Sequence, residues 1–201
     1  ADDKQICFSP GNLQYQASTN TWRFAENQWD YVGTNERIND IGTVSDSYNN
    51  KLSSNYKGWI DLFGWGTSGW ASGATAFLPY STSKTNADYH STDEGIYNLT
   101  DDHKNADWGV HNTISNGGDE SWRTLTIDEW NYLLNRDEGS KYGVAEVAGV
   151  NGLILLPDNW EKPSGLRFRT GCVSNSNYAE LNCYNDSQWA RMEAAGAVFL
   201  P

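Results

Sequence analysis

Few side chains in this sequence are spaced for chemistry. The three histidines, His90, His103 and His111, are too few and too scattered to form a recognisable metal motif. His111 lies near Trp108 and reads as helix packing or surface before it reads as a base. Asp61 falls within the tryptophan-rich run 58–70 and has the chemistry of an acid. Glycoside hydrolysis, however, needs a second carboxylate held opposite the first across a cleft, and the sequence places none there. Acidic oxygens are denser further on, where Asp88, Asp93, Glu94, Asp101, Asp102 and Asp107 are opposed only by Lys84 and Lys104. A hard cation wants several such ligands, so Asp93, Asp101 and Asp102 are candidate calcium ligands, although their spacing is not that of an EF-hand loop. A solvated acidic loop is the competing reading. No catalytic constellation emerges, and the balance is against an enzyme.

The cysteines leave two readings open. Cys7 sits in the apolar stretch 5–8 and reads as a buried small residue. Cys172 and Cys183 flank a polar loop, which a disulfide would close. The alternative is two free thiols, and the disulfide requires an oxidising compartment.

Chemistry suited to recognition is easier to find. Residues 158–185 carry Asn175, Asn177, Asn182, Asn185, Tyr178 and Tyr184, a composition that suits contact with a ligand. In the run 58–70, Trp59 and Phe63 read as core together with Trp65. Trp70, between serine and glycine neighbours, is the candidate for exposure. Trp70, Tyr178, Asn182 and Tyr184 are therefore the candidate ligand-binding residues. The glycines of this run do not make a phosphate cradle, because no Lys-Ser or Lys-Thr follows them.

The elements that must hold these residues are built from rings. The chain has 201 residues, enough for one substantial core, and only 38% of them are hydrophobic, but 10 Trp, 11 Tyr and 6 Phe concentrate the apolar area. With 19 glycines, this fits a loop-rich domain with an aromatic core rather than a helical bundle. A net charge of -12 disfavours nucleic acid and anionic membrane as partners. No apolar run is long enough to span a bilayer.

Thr126 and Glu129 form a capping box that opens a helix over 127–135. Ile127, Trp130, Leu133 and Leu134 give it one apolar stripe, with Trp130 packed into the aromatic core. Residues 4–33 read as hairpin material, with strand 5–8 and turns at 9–12 and 18–20. A short helix is expected over 107–114, and a hairpin over 143–157 turning at 149–152. Its second strand is apolar on both faces and so should be central. Asp186 should cap a third helix that ends at Gly196, and residues 197–201 should begin another strand. That apolar strand ends at once and needs a partner, which points to a truncated C-terminus or to a strand from elsewhere. The whole of 1–201 reads as a single domain with surface excursions near 34–57, 71–107 and 158–185.

The segment Arg123-Thr124-Leu125-Thr126-Ile127-Asp128-Glu129-Trp130-Asn131-Tyr132 resembles the arginine-led motif R-L-P-T-E-A-E-W-E-Y of the formylglycine-generating-enzyme-like branch of the C-type lectin fold. Leu125 replaces the usual proline. Phe8-Ser9-Pro10-Gly11-Asn12-Leu13-Gln14-Tyr15, Gly58-Trp59-Ile60-Asp61-Leu62-Phe63-Gly64-Trp65-Gly66 and Ala106-Asp107-Trp108-Gly109 are similar to secreted or surface-anchored proteins of gut Bacteroidetes. Those proteins are related to the Fibrobacter succinogenes major paralogous domain. The resemblance spans nearly the whole chain. It implies an α+β, C-type-lectin-like, sulfatase-modifying-factor-like fold with short helices, twisted antiparallel strands and long loops, truncated at its C-terminus. It also implies a place outside, or on the surface of, a Gram-negative bacterium. The enzyme branch binds copper through a C-terminal cysteine pair, and Cys172 and Cys183 do not stand in that context, so neither copper nor oxidase activity carries over. Lectin-fold relatives that serve as receptor-binding and display proteins make 170–185 a variable face by analogy.

The function expected from these features is a noncatalytic extracellular or cell-surface binding module for a glycan or protein ligand. The alternative is a structural or assembly component that takes a partner strand or a missing C-terminal segment, with a carbohydrate-active enzyme third.

Overall fold

The computed structural model describes residues 6–32, 55–61, 63, 68, 99, 101–119, 121–135, 141–171 and 182–201, with side chains left out at 101–103. Helices and sheets are mixed, which is the expected α+β class. The chain falls into two compact units, one of Ala1–Phe8, Asn27–Asp30 and Leu125–Pro201, the other of Ser9–Glu26 and Tyr31–Thr124.

In the second of these units the sequence alternates inward rings with outward polar residues. Strand β1 (Leu13–Gln16) runs through a single 3-10 turn, Ala17–Thr19, into β2 (Thr21–Phe24). Asn20 closes the turn in the left-handed region at φ 50, a conformation that asparagine tolerates, and its carboxamide accepts the Tyr15 hydroxyl at 2.9 Å. The antiparallel register pairs Gln14 with Arg23 and Tyr15 with Trp22. Tyr15, Trp22 and Phe24 are thereby buried with Ile60, Trp108 and Ile114. The rings touch in sequence, Tyr15 to Trp22 at 4.6 Å and Trp22 to Phe63 at 5.1 Å.

Two further segments complete that small sheet. Tyr15 and Ile60 exchange both backbone hydrogen bonds, at 2.8 and 2.9 Å, so residues 55–61 line up along β1. On the other side, Asn116 acts as a one-residue strand. Its side chain accepts from Phe24 N at 2.7 Å and donates to Phe24 O at 2.9 Å. Helix α1 (Trp108–His111) is one turn long and is capped by buried Asp107, which accepts from Gly109 N at 3.2 Å and Thr124 N at 2.6 Å. Burial raises the Asp107 pKa, against the lowering by those amides and Arg123.

The hairpin start differs from expectation. Residues 6–8 join no strand, and Cys7 is exposed rather than buried. Ile6 and Phe8 are half-buried on either side of it, without a strand partner among the described residues.

The other unit holds a four-stranded sheet in the order β5-β3-β4-β6. Strands β3 (Tyr142–Val147) and β4 (Val150–Leu155) are antiparallel, joined by Ala148 and Gly149 with φ of 50 and 81. Positive φ at both central residues is what a two-residue type I′ hairpin requires. The turn therefore falls ahead of the expected 149–152. Strand β5 (Cys183–Tyr184) pairs in parallel with β3, and β6 (Val198–Leu200) pairs antiparallel with β4. The expected central position of the apolar strand holds, and the C-terminal strand finds its partner within the chain.

Helix α2 (Ile127–Leu134) carries both halves of the capping box, Thr126 N to Glu129 at 2.8 Å and Glu129 N to Thr126 at 3.3 Å. Its apolar stripe is not shut inside a core, contrary to expectation. Leu133 is buried and Trp130 half-buried, whereas Ile127 is 71% and Leu134 36% exposed. Residues seven apart share a face, so Ile127 and Leu134 mark the border of the stripe that the helix's roll leaves outside.

Helix α3 (Asp186–Ala194) is capped by Asn185, one residue before the expected Asp186, in a second reciprocal box with Gln188 at 3.0 Å in both directions. It drives Trp189 and Met192 into a core of Ala145, Val147, Ile154, Tyr184 and Phe199. Gly196, at φ 89, then turns the chain into β6. Part of the expected surface excursion also packs here, because Leu166 is buried and Trp160 meets Phe168 at 5.3 Å. Among the described residues no helix is long and apolar enough to cross a membrane.

Candidate functional site

Alternation on the β1–β2 hairpin decides what reaches its outer face. With Tyr15 and Trp22 turned inward, Gln14 and Arg23 stand opposite each other in register on the other face. Ile60 is buried against Tyr15, so its neighbour Trp59 points the other way, toward that pair. The Gln16 carboxamide, bonded to Lys57 O at 2.6 Å, helps to anchor the segment that carries Trp59.

The resulting geometry is specific. The Arg23 guanidinium carbon lies 3.8 Å from the Trp59 ring centroid, in cation–π contact. Arg23 Nε donates to Gln14 Oε1 at 2.9 Å. Gln14 is only 4% exposed, while Arg23 and Trp59 are half-buried. One face of the guanidinium and one of its edges are thus occupied. Among the described residues, the Arg23 Nη groups and Gln14 Nε2 meet no hydrogen-bond acceptor. This is a cluster of donors beside an aromatic ring, built on a guanidinium.

Of the residues expected to bind ligand, Trp70 and Tyr178 lie outside the described residues. Asn182 and Tyr184 are brought together, but inside the protein. Asn182 is 1% exposed, accepting from Arg169 N at 2.8 Å and donating to Arg169 O at 2.9 Å and Val144 O at 2.8 Å. All its hydrogen-bonding directions of consequence are therefore turned to backbone. Tyr184 is 3% exposed and donates to Arg167 O. Its hydroxyl pKa is pushed up to about 12, first by burial and then by the neighbouring Cys183. Together these two side chains clip residues 167–169 onto the sheet. Gly143 belongs to the same arrangement, since a Cβ there would come within 2.6 Å of Arg169 O.

Cys183 is exposed, and its thiol points at Glu146 Oε1 at 3.5 Å. Burial of the sulfur and the Glu146 carboxylate both raise its pKa, which disfavours the reactive thiolate. Cys172 lies outside the described residues. Asp61, the candidate acid, accepts a hydrogen bond from Val32 N at 2.5 Å and so anchors backbone. His111 is exposed at the end of α1. Asp101 and Asp102 open the 3-10 helix Asp101–Ala106, and Asp93 lies outside the described residues. Among the described residues, no group of three or more His, Cys, Asp or Glu side chains is placed to hold a metal ion.

The pairing of Arg23 with Gln14 was within reach of sequence. Once 13–16 and 21–24 are hairpin strands around a turn at 17–20, the polar residues between the rings fall on one face. Attention to the rings alone passes over it. Comparison of the chain with protein-family models, curated proteins and solved structures finds no match.

Proposed function

We propose that this protein is a noncatalytic binding module that takes a glycan or a protein ligand, secreted or held at the surface of a Gram-negative bacterium. The observation that carries the reading is the donor cluster of Arg23 and Gln14 on the Trp59 ring. Directional donors steadied by an indole ring suit a ligand that brings acceptor oxygens. The C-type-lectin-like fold and the single-domain organisation rest on the motif resemblance. A calcium requirement through Asp93, Asp101 and Asp102 belongs to the same reading.

A screen of the full chain against arrayed glycans and bacterial and host surface proteins, with and without calcium, tests it. Saturable binding to at least one target is expected, weakened by about tenfold or more in Trp59→Ala, as for loss of a central aromatic contact. Circular dichroism establishes that the variant folds. Absence of any saturable binding by folded protein would overturn the reading.

A further inference from the structure

We propose that Arg23, Gln14 and Trp59 form a site for a single carboxylate, carried by a uronic acid unit among neutral sugars. The proposal rests on the binding-module reading for the choice of a glycan, and on the geometry alone for the carboxylate. Arg23 Nε is committed to Gln14 Oε1 at 2.9 Å, and the guanidinium carbon lies 3.8 Å from the Trp59 ring centroid. Among the described residues, what remains is the end-on fork of Nη1 and Nη2, whose two parallel N–H directions match the two oxygens of a carboxylate. Gln14 holds the fork in place: its side chain is more than nine-tenths buried, and its Oε1 fixes Arg23 Nε. Its Nε2 meets no acceptor among the described residues and adds a further donor beside the guanidinium. The complement of such a group of donors around one positive charge is an anion with several acceptor lone pairs.

Charge selects among such anions. The site has one guanidinium in a chain of net charge -12, and no ion pair to Arg23 is formed among the described residues. A dianionic phosphate would keep an uncompensated charge in that field, whereas a monocarboxylate is matched one to one. An acidic peptide segment or a polyuronate would bring consecutive charges into the same repulsion. A uronic acid flanked by neutral sugars brings one.

The test is an NMR titration of the isotope-labelled full chain at constant ionic strength, following the Arg23 Nε–H and the Trp59 indole N–H. Methyl glucuronide is expected to shift both signals saturably. The neutral methyl glucoside, inorganic phosphate and N-acetyl glutamate amide are each expected to bind about tenfold more weakly or worse. Arg23→Gln, read at the Trp59 indole N–H that it retains, should abolish the response. Arg23→Lys, which keeps the charge and loses the fork, should abolish most of it, while both variants retain the wild-type circular dichroism. Equal binding of the neutral glucoside, or an unchanged response in Arg23→Gln, would overturn the carboxylate. Equal binding of phosphate, or of the glutamate amide, would overturn the choice of a uronic acid. If arrayed neutral glycans bind while the glucuronide does not, the carboxylate falls and the binding module stands. If the glucuronide binds while no arrayed glycan or surface protein does, uronate-bearing ones included, the site stands and the binding-module reading falls.

Discussion

Tyr184 and Asn182 carry the hydrogen-bonding chemistry expected of ligand contacts, but both direct it at their own backbone. That difference has a measurable consequence at Tyr184. Burial, and then Cys183, push its hydroxyl pKa up from the ordinary 10.0 to about 12. The folded state therefore holds this proton more tightly. The resulting stability is complete below pH 10 and is lost as pH rises through 12, by about 2–3 kcal/mol for a shift of this size. Denaturant unfolding followed across that alkaline range should show wild type losing stability relative to Tyr184→Phe, which has no proton to release. Parallel profiles for the two proteins would contradict a buried Tyr184 hydroxyl. Sequence could not reveal this burial, because a polar loop with Asn and Tyr has the same composition whether those residues face solvent or brace the loop from beneath.

At the scale of elements, local signals were the ones that survived. Both long helices begin where side chains close reciprocal caps, Thr126 with Glu129 and Asn185 with Gln188. Caps involve residues three apart, so they are legible in the sequence. The depth to which α2 sinks is set by what lies against it, and a periodic stripe names a face without naming its cover. The hairpin turn was displaced for a related reason. Ala148 takes a positive φ that alanine seldom adopts, so the glycines further on attract the prediction.

The clearest non-local device is at β6. That strand ends the sheet, and Phe199 N points to its open side, where buried Gln28 accepts it at 2.6 Å. Gln28 belongs to the turn Asn27–Asp30, which Asp30 braces by accepting Asn27 N and Nδ2, each at 3.0 Å. Trp29 from the same turn packs against the sheet's core. A residue 171 positions away thus supplies the edge contact, and no pattern in the sequence announces it. Gln28→Met keeps the bulk and removes the acceptor, which should lower unfolding free energy by about 1–3 kcal/mol through the stranded N–H. An unchanged urea midpoint would show that this bond does not hold the edge.

For the molecule as a whole, the acidic charge and the ring-rich composition were plain from the start, and they narrow the partners more than they name them. A chain of net charge -12 draws in few anions, so an arginine whose fork meets no acceptor among the described residues is conspicuous in it. Sequence alone does not single that residue out, because its significance depends on two others, one across the hairpin and one brought beside it by residues 55–61. The most direct measurement is a chemical-shift map of the full chain with and without the tightest array ligand. Recognition on the hairpin's outer face predicts the largest changes at the Gln14 carboxamide, Arg23 Nε and the Trp59 indole. Shifts confined to other surfaces, with those three signals unmoved, would contradict it.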